Sequence, residues 1–102
     1  MDAETPSAAT LQTIQNNARR ASTLLKAMSN QHRLMILCQL VPGEKSVSEL
    51  ERIIGLSQSA LSQHLARLRA GGLVAFRRTS QTLHYRVADQ RALQVLGVLR
   101  QI

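Results

Sequence analysis

Apolar residues recur along much of this 102-residue chain at intervals of three and four, the period of a helix packed on one side. Leu11, Ile14, Ala18, Ala21, Leu25 and Met28 form the first row, so the spacing predicts a helix over 8–28 whose seam asks for a partner helix. Residues 30–41 predict a second helix, apolar almost all round through Leu34, Met35, Ile36, Leu37, Cys38, Leu40 and Val41. Such a helix is expected to be buried, and Pro42-Gly43 ends it. Ser46-Val47-Ser48-Glu49 has the form of a capping box, serine and glutamate each accepting the other's backbone N–H. It opens a short third helix that turns Leu50, Ile53 and Ile54 inward before Gly55 stops it. Residues 1–7, ahead of the first helix, are expected to be disordered.

Only Leu56 and Ser57 separate the third helix from a fourth, and so short a link predicts an angled pair, a helix-turn-helix over 46–69. Leu61, Leu65 and Leu68 supply the buried stripe of helix four. Its opposite face carries Gln58, Ser59, Ser62, Gln63 and Ala66, with Arg67 at the edge. A solvated helix face ordinarily prefers Glu and Lys. Short hydroxyls and amides without an acid are instead the donors and acceptors that read base edges while a helix approaches a groove closely. Beyond Gly71-Gly72 the period falls to two: Val74 and Phe76 alternate, then Leu83, Tyr85 and Val87, with Thr79-Ser80-Gln81 between them, which predicts a β-hairpin wing over 73–87. Its first strand ends in Arg77-Arg78, and the other face of its second strand shows Thr82, His84 and Arg86, side chains suited to a phosphate backbone or minor groove. Asp89 is placed to cap a last helix over 90–102, where Ala92, Val95, Leu99 and Ile102 again step by three or four. The predicted class is mainly α with a small hairpin, in the order α-α-α-α-β-β-α: a single winged helix-turn-helix domain.

Charge points the same way. Residues 1–51 balance five basic residues against five acids, whereas residues 52–102 hold eight arginines against Asp89 alone, so the net +7 lies in the half that contains helix four. A polyanion partner accounts for that, and arginine matches phosphate geometry better than lysine does. The DNA-binding set read from sequence is therefore Gln58, Ser59, Ser62, Gln63, Arg67, Arg77, Arg78 and Arg86, acting on double-stranded DNA. An enzyme would need a nucleophile with a base, a metal cage or a phosphate loop, and six scattered acids with no Gly-rich loop supply none. No catalytic residue and no cofactor is expected. A winged helix used for protein or RNA contact is the alternative. It would be expected to show an apolar or acidic face on helix four, or aromatic platforms, and Phe76 and Tyr85 both fall on the inward strand face. With one cysteine, no long apolar run and a start at Met1-Asp2-Ala3-Glu4 without basic residues, neither a disulfide framework nor a membrane partner is expected, and the compartment is expected to be the cytoplasm.

The segments Leu24-Leu25-Lys26-Ala27-Met28-Ser29, Arg33-Leu34-Met35-Ile36-Leu37, Leu56-Ser57-Gln58-Ser59-Ala60-Leu61-Ser62-Gln63-His64-Leu65 and Thr82-Leu83-His84-Tyr85 together resemble the ArsR/SmtB family of small dimeric transcriptional repressors, in its metal-independent branch. The resemblance covers roughly residues 18–102. It implies a homodimer built from the first and last helices, through Leu11, Ile14, Ala18, Ala21, Leu25, Val95, Leu99 and Ile102, that represses by binding an inverted repeat in a promoter. An anti-silencing activator is the variant of that reading. Positions where metal sensors of the family carry cysteines look like Ser46 and Ser48, and where zinc sensors carry Asp-x-His, Asp89 is followed by Gln90 and Arg91, so no metal site is expected. His32, His64 and His84 lack ligand spacing and are expected to be structural or solvated. Cys38 falls where the family's redox sensors place a first thiol; the second would fall just past Ile102. A buried lone cysteine is ordinarily a small hydrophobe, with sulfenic acid or a mixed disulfide as the reactive alternative. No effector is specified.

Overall fold

A computed structural model describes residues 8–101, so the expected disorder of 1–7 and the seam position Ile102 lie outside the described residues. Five helices and three strands follow in the order α1 (Ala8–Met28), α2 (Gln31–Leu40), β1 (Lys45–Ser46), α3 (Val47–Ile54), α4 (Gln58–Ala70), β2 (Val74–Thr79), β3 (Thr82–Val87) and α5 (Gln90–Leu99). Four of the helices start on a side chain that accepts backbone N–H groups otherwise left without partners. Asn30 Oδ1 accepts from the N–H of His32 and of Arg33 at 2.9 and 3.1 Å, Ser57 Oγ from Ala60 at 3.2 Å, and Asp89 Oδ1 from Arg91 at 2.8 Å. Ser46 and Glu49 form the capping box in both directions, at 3.1 and 2.9 Å. Gly55 then ends α3 at φ +81°, a left-handed conformation that a side chain would strain.

The sheet has the order β1-β3-β2, antiparallel throughout. β1 was not anticipated. Two residues are too few to show a period, and the strand exists only because Lys45 and Ser46 meet Tyr85 and His84 of the wing. The hairpin itself closes with Thr79 opposite Thr82, so the loop is Ser80-Gln81, one residue shorter than the predicted link, with Ser80 at φ +54°.

The core gathers Leu24 and Met28 of α1, Ile36, Leu37 and Leu40 of α2, Leu50 of α3, the α4 leucines, Leu73, Val74 and Tyr85 at the base of the wing, and Ala92 and Leu96 of α5. Two expectations fail here. α2 is not buried all round: Met35 is 38% exposed and Cys38 is exposed, because α1, α3, α4 and β3 pack on its other sides and leave that face open. Ile53 is 45% exposed rather than inward, since the two turns of α3 bury Leu50 and only part of Ile54. In α2 periodicity does not choose a face because the run from Leu34 to Cys38 is apolar throughout; in α3, Leu50, Ile53 and Ile54 share a side too wide for so short a helix to bury completely.

The reverse exception is Arg33, 6% exposed within the apolar helix. Its Nε donates to the Ala27 carbonyl at 2.6 Å and its Nη2 to the Lys26 carbonyl at 3.4 Å, satisfying acceptors in the last turn of α1 that the helix cannot satisfy itself. Burial, and after it the nearby Arg67, lower the pKa of its guanidinium from the usual value, yet an arginine so placed keeps its charge. Arg33 therefore clamps α1 to α2. Replacing it with Met should leave the Ala27 carbonyl without its guanidinium donor, the Lys26 carbonyl keeping the Ser29 N–H at 3.3 Å, and cost about 1–3 kcal/mol, read as a lower urea midpoint with an unchanged m-value.

Candidate nucleic-acid interface

With Leu61 and Leu68 at 0% and Leu65 at 2% exposure, α4 can present only its other side to solvent, and Gln58, Ser59, Ser62, Gln63, Ala66 and Arg67 are all exposed there. Ser57, the cap, also lies 3.4 Å from Ser59 through their hydroxyls, so the first turn of the helix is knitted on its polar side. The outward face is therefore the one expected from the sequence, and it is free of carboxylates along the helix.

The register of the wing divides its arginines. Ala75 faces Arg86, Arg77 faces His84 and Thr79 faces Thr82 on one side of the hairpin; Val74, Phe76 and Arg78 share the other with Leu83, Tyr85 and Val87. Arg77 and Arg78, adjacent in sequence, thus point to opposite sides. Arg77 Nε donates to Glu44 Oε1 at 2.8 Å, so one of the expected phosphate ligands is held in an exposed ion pair. Arg78 and Arg86 are exposed and form no ion pair among the described residues. His84 Nε2 lies 2.8 Å from the Thr79 hydroxyl across the hairpin.

Between α4 and the wing runs a groove of about 450 Å³ with Ser48 and Glu51 of α3 on one wall, Gln58, Ser62, Ala66 and Arg69 of α4 along its floor, and Gln81, Thr82 and Leu83 opposite. Arg69 was missed. Its guanidinium lies 5.2 Å above the Phe76 ring, which in turn meets Tyr85 at 5.4 Å, so a cation–π contact holds it at the mouth of the groove. A signal existed in the sequence: Ser62, Ala66 and Arg69 continue one helical face by four and then three residues. The aromatic partner does not show in sequence, because it arrives only when the wing folds back.

The other candidate residues lie elsewhere. On α1, Leu11, Ile14, Ala18, Ala21 and Leu25 are exposed along one helix, with Leu11 at 48%, Ile14 at 52% and Leu25 at 52%; Met28 of the same row turns into the core, joined by Leu24. On α5, Val95 is half-buried and Leu99 is 37% exposed, beside Val98 at 70%. Cys38 borders a shallow hollow shared with Val41, Pro42, Leu96 and Arg100. Ser46 is occupied by its capping box and Asp89 by Arg91, whose Nη2 stands 2.6 Å from it; that guanidinium, first of all, holds the Asp89 carboxyl below its ordinary pKa. Among the described residues no group of three or more His, Cys, Asp or Glu side chains could hold a metal ion, and no helix is long and apolar enough to cross a membrane.

A helix-turn-helix whose second helix shows a polar, acid-free face, flanked by a basic antiparallel wing, defines a winged helix-turn-helix protein. A family profile described as "Bacterial regulatory protein, arsR family" matches residues 30–75. The transcriptional activator HlyU of Vibrio cholerae is 46% identical over 90% of this chain and 85% of its own length, and the nodulation protein NolR of Rhizobium meliloti is 48% identical over 84% and 70%. The crystal structure of the transcriptional repressor BigR from Xylella fastidiosa superposes with a TM-score of 0.83 at 40% identity, covering 90% of this chain and 94% of that one. The chain belongs to the ArsR family of bacterial regulators. It is a DNA-binding transcriptional regulator and not an enzyme.

Proposed function

We propose that the protein works in the cytoplasm as a homodimer that places α4 of each protomer in successive major grooves of an inverted-repeat operator. The observation that carries this reading is the outward face of α4. Gln58 and Gln63 are the base-edge readers, with Ser59 and Ser62 beside them, because an amide can make the paired donor and acceptor bonds that single out a base. Arg67, Arg78 and Arg86 grip flanking phosphates, and Arg77 joins them once it exchanges Glu44 for the backbone. That exchange costs little, since an exposed ion pair contributes about 0–1 kcal/mol.

Dimerisation follows from the row Leu11, Ile14, Ala18, Ala21 and Leu25. A helix of 21 residues extends about 31 Å, and leaving its apolar stripe in water is unfavourable when a second copy offers the same stripe together with Val95 and Leu99 of α5. Occupancy of a promoter excludes polymerase, so repression is the direct outcome; displacement of a silencer from the same DNA would activate. Neither a metal nor a cofactor enters this mechanism. A redox input would pass through Cys38, the single cysteine, whose thiolate a peroxide oxidises to a sulfenic acid with release of water or alcohol, or which exchanges with a small disulfide to give a mixed disulfide and a free small thiol, chemistry that its exposure permits.

Fluorescence anisotropy on promoter duplexes tests the reading as a whole. Two helices and two wings should neutralise on the order of 6–10 phosphates, giving a log–log salt slope of about −5 to −9, and footprints should show half-sites ~10 bp or a small multiple apart. Weak binding indifferent to salt would rule it out.

Reading and gripping should separate by mutation. Gln63→Ala is expected to cost roughly 1–3 kcal/mol on the operator and little on random DNA, whereas Arg78→Ala should weaken both alike and reduce the salt slope by about one. Equal losses on both DNAs for Gln63→Ala would mean that another face enters the groove.

For the dimer, Ile14→Asp sets a carboxylate in the centre of the exposed α1 row. Sedimentation should then show a folded monomer, with operator affinity falling at least about tenfold as the two half-sites uncouple. A variant that stays dimeric would move the interface away from α1.

A further inference from the structure

The inner margin of α4 carries a feature that DNA reading does not use. His64 follows Gln63 directly and lies beside the leucine stripe, half-buried, with its ring centroid 5.7 Å from that of His32 near the start of α2. Its Nδ1 is fully buried and has no hydrogen-bond partner. Basic side chains lie near it on both packed elements: His32 and the buried Arg33 on α2, and Arg67 on α4 itself. Arg33 cannot swing away, because it is tied to the Lys26 and Ala27 carbonyls at the end of α1.

We propose that His64 is a positioning residue for DNA reading: its neutral imidazole wedges α4 against α2 in the reading pose, and a proton on it releases that pose. The inference rests on the assignment of α4 as the reading helix. A neutral imidazole needs only one N–H, which Nε2 can carry, leaving the enclosed Nδ1 as a bare lone pair. An imidazolium makes both nitrogens donors, so the enclosed one becomes a charged N–H with no acceptor, facing Arg33, His32 and Arg67. Burial, then Arg33, His32 and Arg67 in that order, lower the pKa of His64 from its ordinary value, which is the direction this surrounding requires.

The sign of the linkage follows. A histidine whose pKa is lowered by folding leaves stability intact above the unfolded value of about 6.5 and removes it as pH falls below that. The strain falls on the α2–α4 seam, two residues from Ser62 and one from Gln63. It should therefore reach base reading before it reaches global unfolding. Added charge alone would do the opposite and tighten all DNA binding in acid.

The experiment compares a duplex selected in vitro on the protein at pH 7.5 with a scrambled duplex of equal length, from pH 7.5 to 5.5 at constant salt. The ratio of the two affinities should fall by about tenfold per unit of pKa difference between the reading and released poses, with scrambled binding level or rising. His64→Gln, which cannot take the proton, should give a ratio independent of pH, whatever its level at pH 7.5. His32→Gln removes one of the three neighbours and should move the transition to higher pH, which keeps the test open if His64→Gln fails to fold. NMR titration of the free protein is the second measurement: the His64 ring should titrate below 6.5, with faster amide exchange along α4 on the acid side. A pH-dependent ratio that persists in His64→Gln, or a His64 ring titrating at or above 6.5, would overturn the proposal. Failure to select any duplex at pH 7.5 would instead count against α4 as the reading helix, while the ring titration and the α4 exchange would still decide the behaviour of His64.

Discussion

Burial of Leu61, Leu65 and Leu68 in a single row is the constraint on which the rest of this protein depends. Removing three leucines from water is worth roughly 5–9 kcal/mol, as much as the whole net stability of many small domains. No rotation of α4 about its axis keeps that gain. The face opposite is fixed by default and is left to solvent. The outward face is the complement of packing: the hydroxyls and amides of α4 face solvent because the leucines cannot.

A helix so constrained still needs a rigid base, and Arg33 provides much of it. From α2, one guanidinium closes the end of α1 and stands near the His64 imidazole of α4. Long-range geometry thus passes through polar contacts at the edges of an aliphatic core. Such contacts are directional and expensive to leave unmade, which suits them to hold one pose among the several that leucines alone would tolerate. The wing is anchored differently. Tyr85 and Val74 enter the core, β1 covers one edge of β3, and Arg78 stays exposed beside the turn while Arg77 is paired with Glu44.

What remains uncovered is coherent as well. The apolar rows on α1 and α5 are long and continuous, unlike scattered surface leucines, and they lie on elements that contribute only their inner residues to the core. The open side of α2, with Met35 and Cys38 against Ile53 and Ile54 of α3, forms a second, shallower apolar hollow of about 750 Å³. The single thiol is therefore more accessible than its place in an apolar helix suggested.

Local sequence was enough for the order of the five helices and the hairpin, the caps at Ser46 and Asp89, the stop at Gly55, the stripe of α4 and the concentration of arginine in the second half. Each of these is written in residues at most a few turns apart, where helical period, capping chemistry and strand alternation operate. Tertiary structure alone decided the rest, for the same reason in reverse. β1 depends on a partner strand some forty residues on. The exposure of Met35 and Cys38 on α2 and of Ile53 on α3 depends on which neighbours reach those helices, the withdrawal of Arg77 on Glu44, and the hold on Arg69 on a phenylalanine of the wing. The basic surroundings of His64 are assembled from α2 and α4 and are visible in neither, because proximity between distant residues has no local period to betray it.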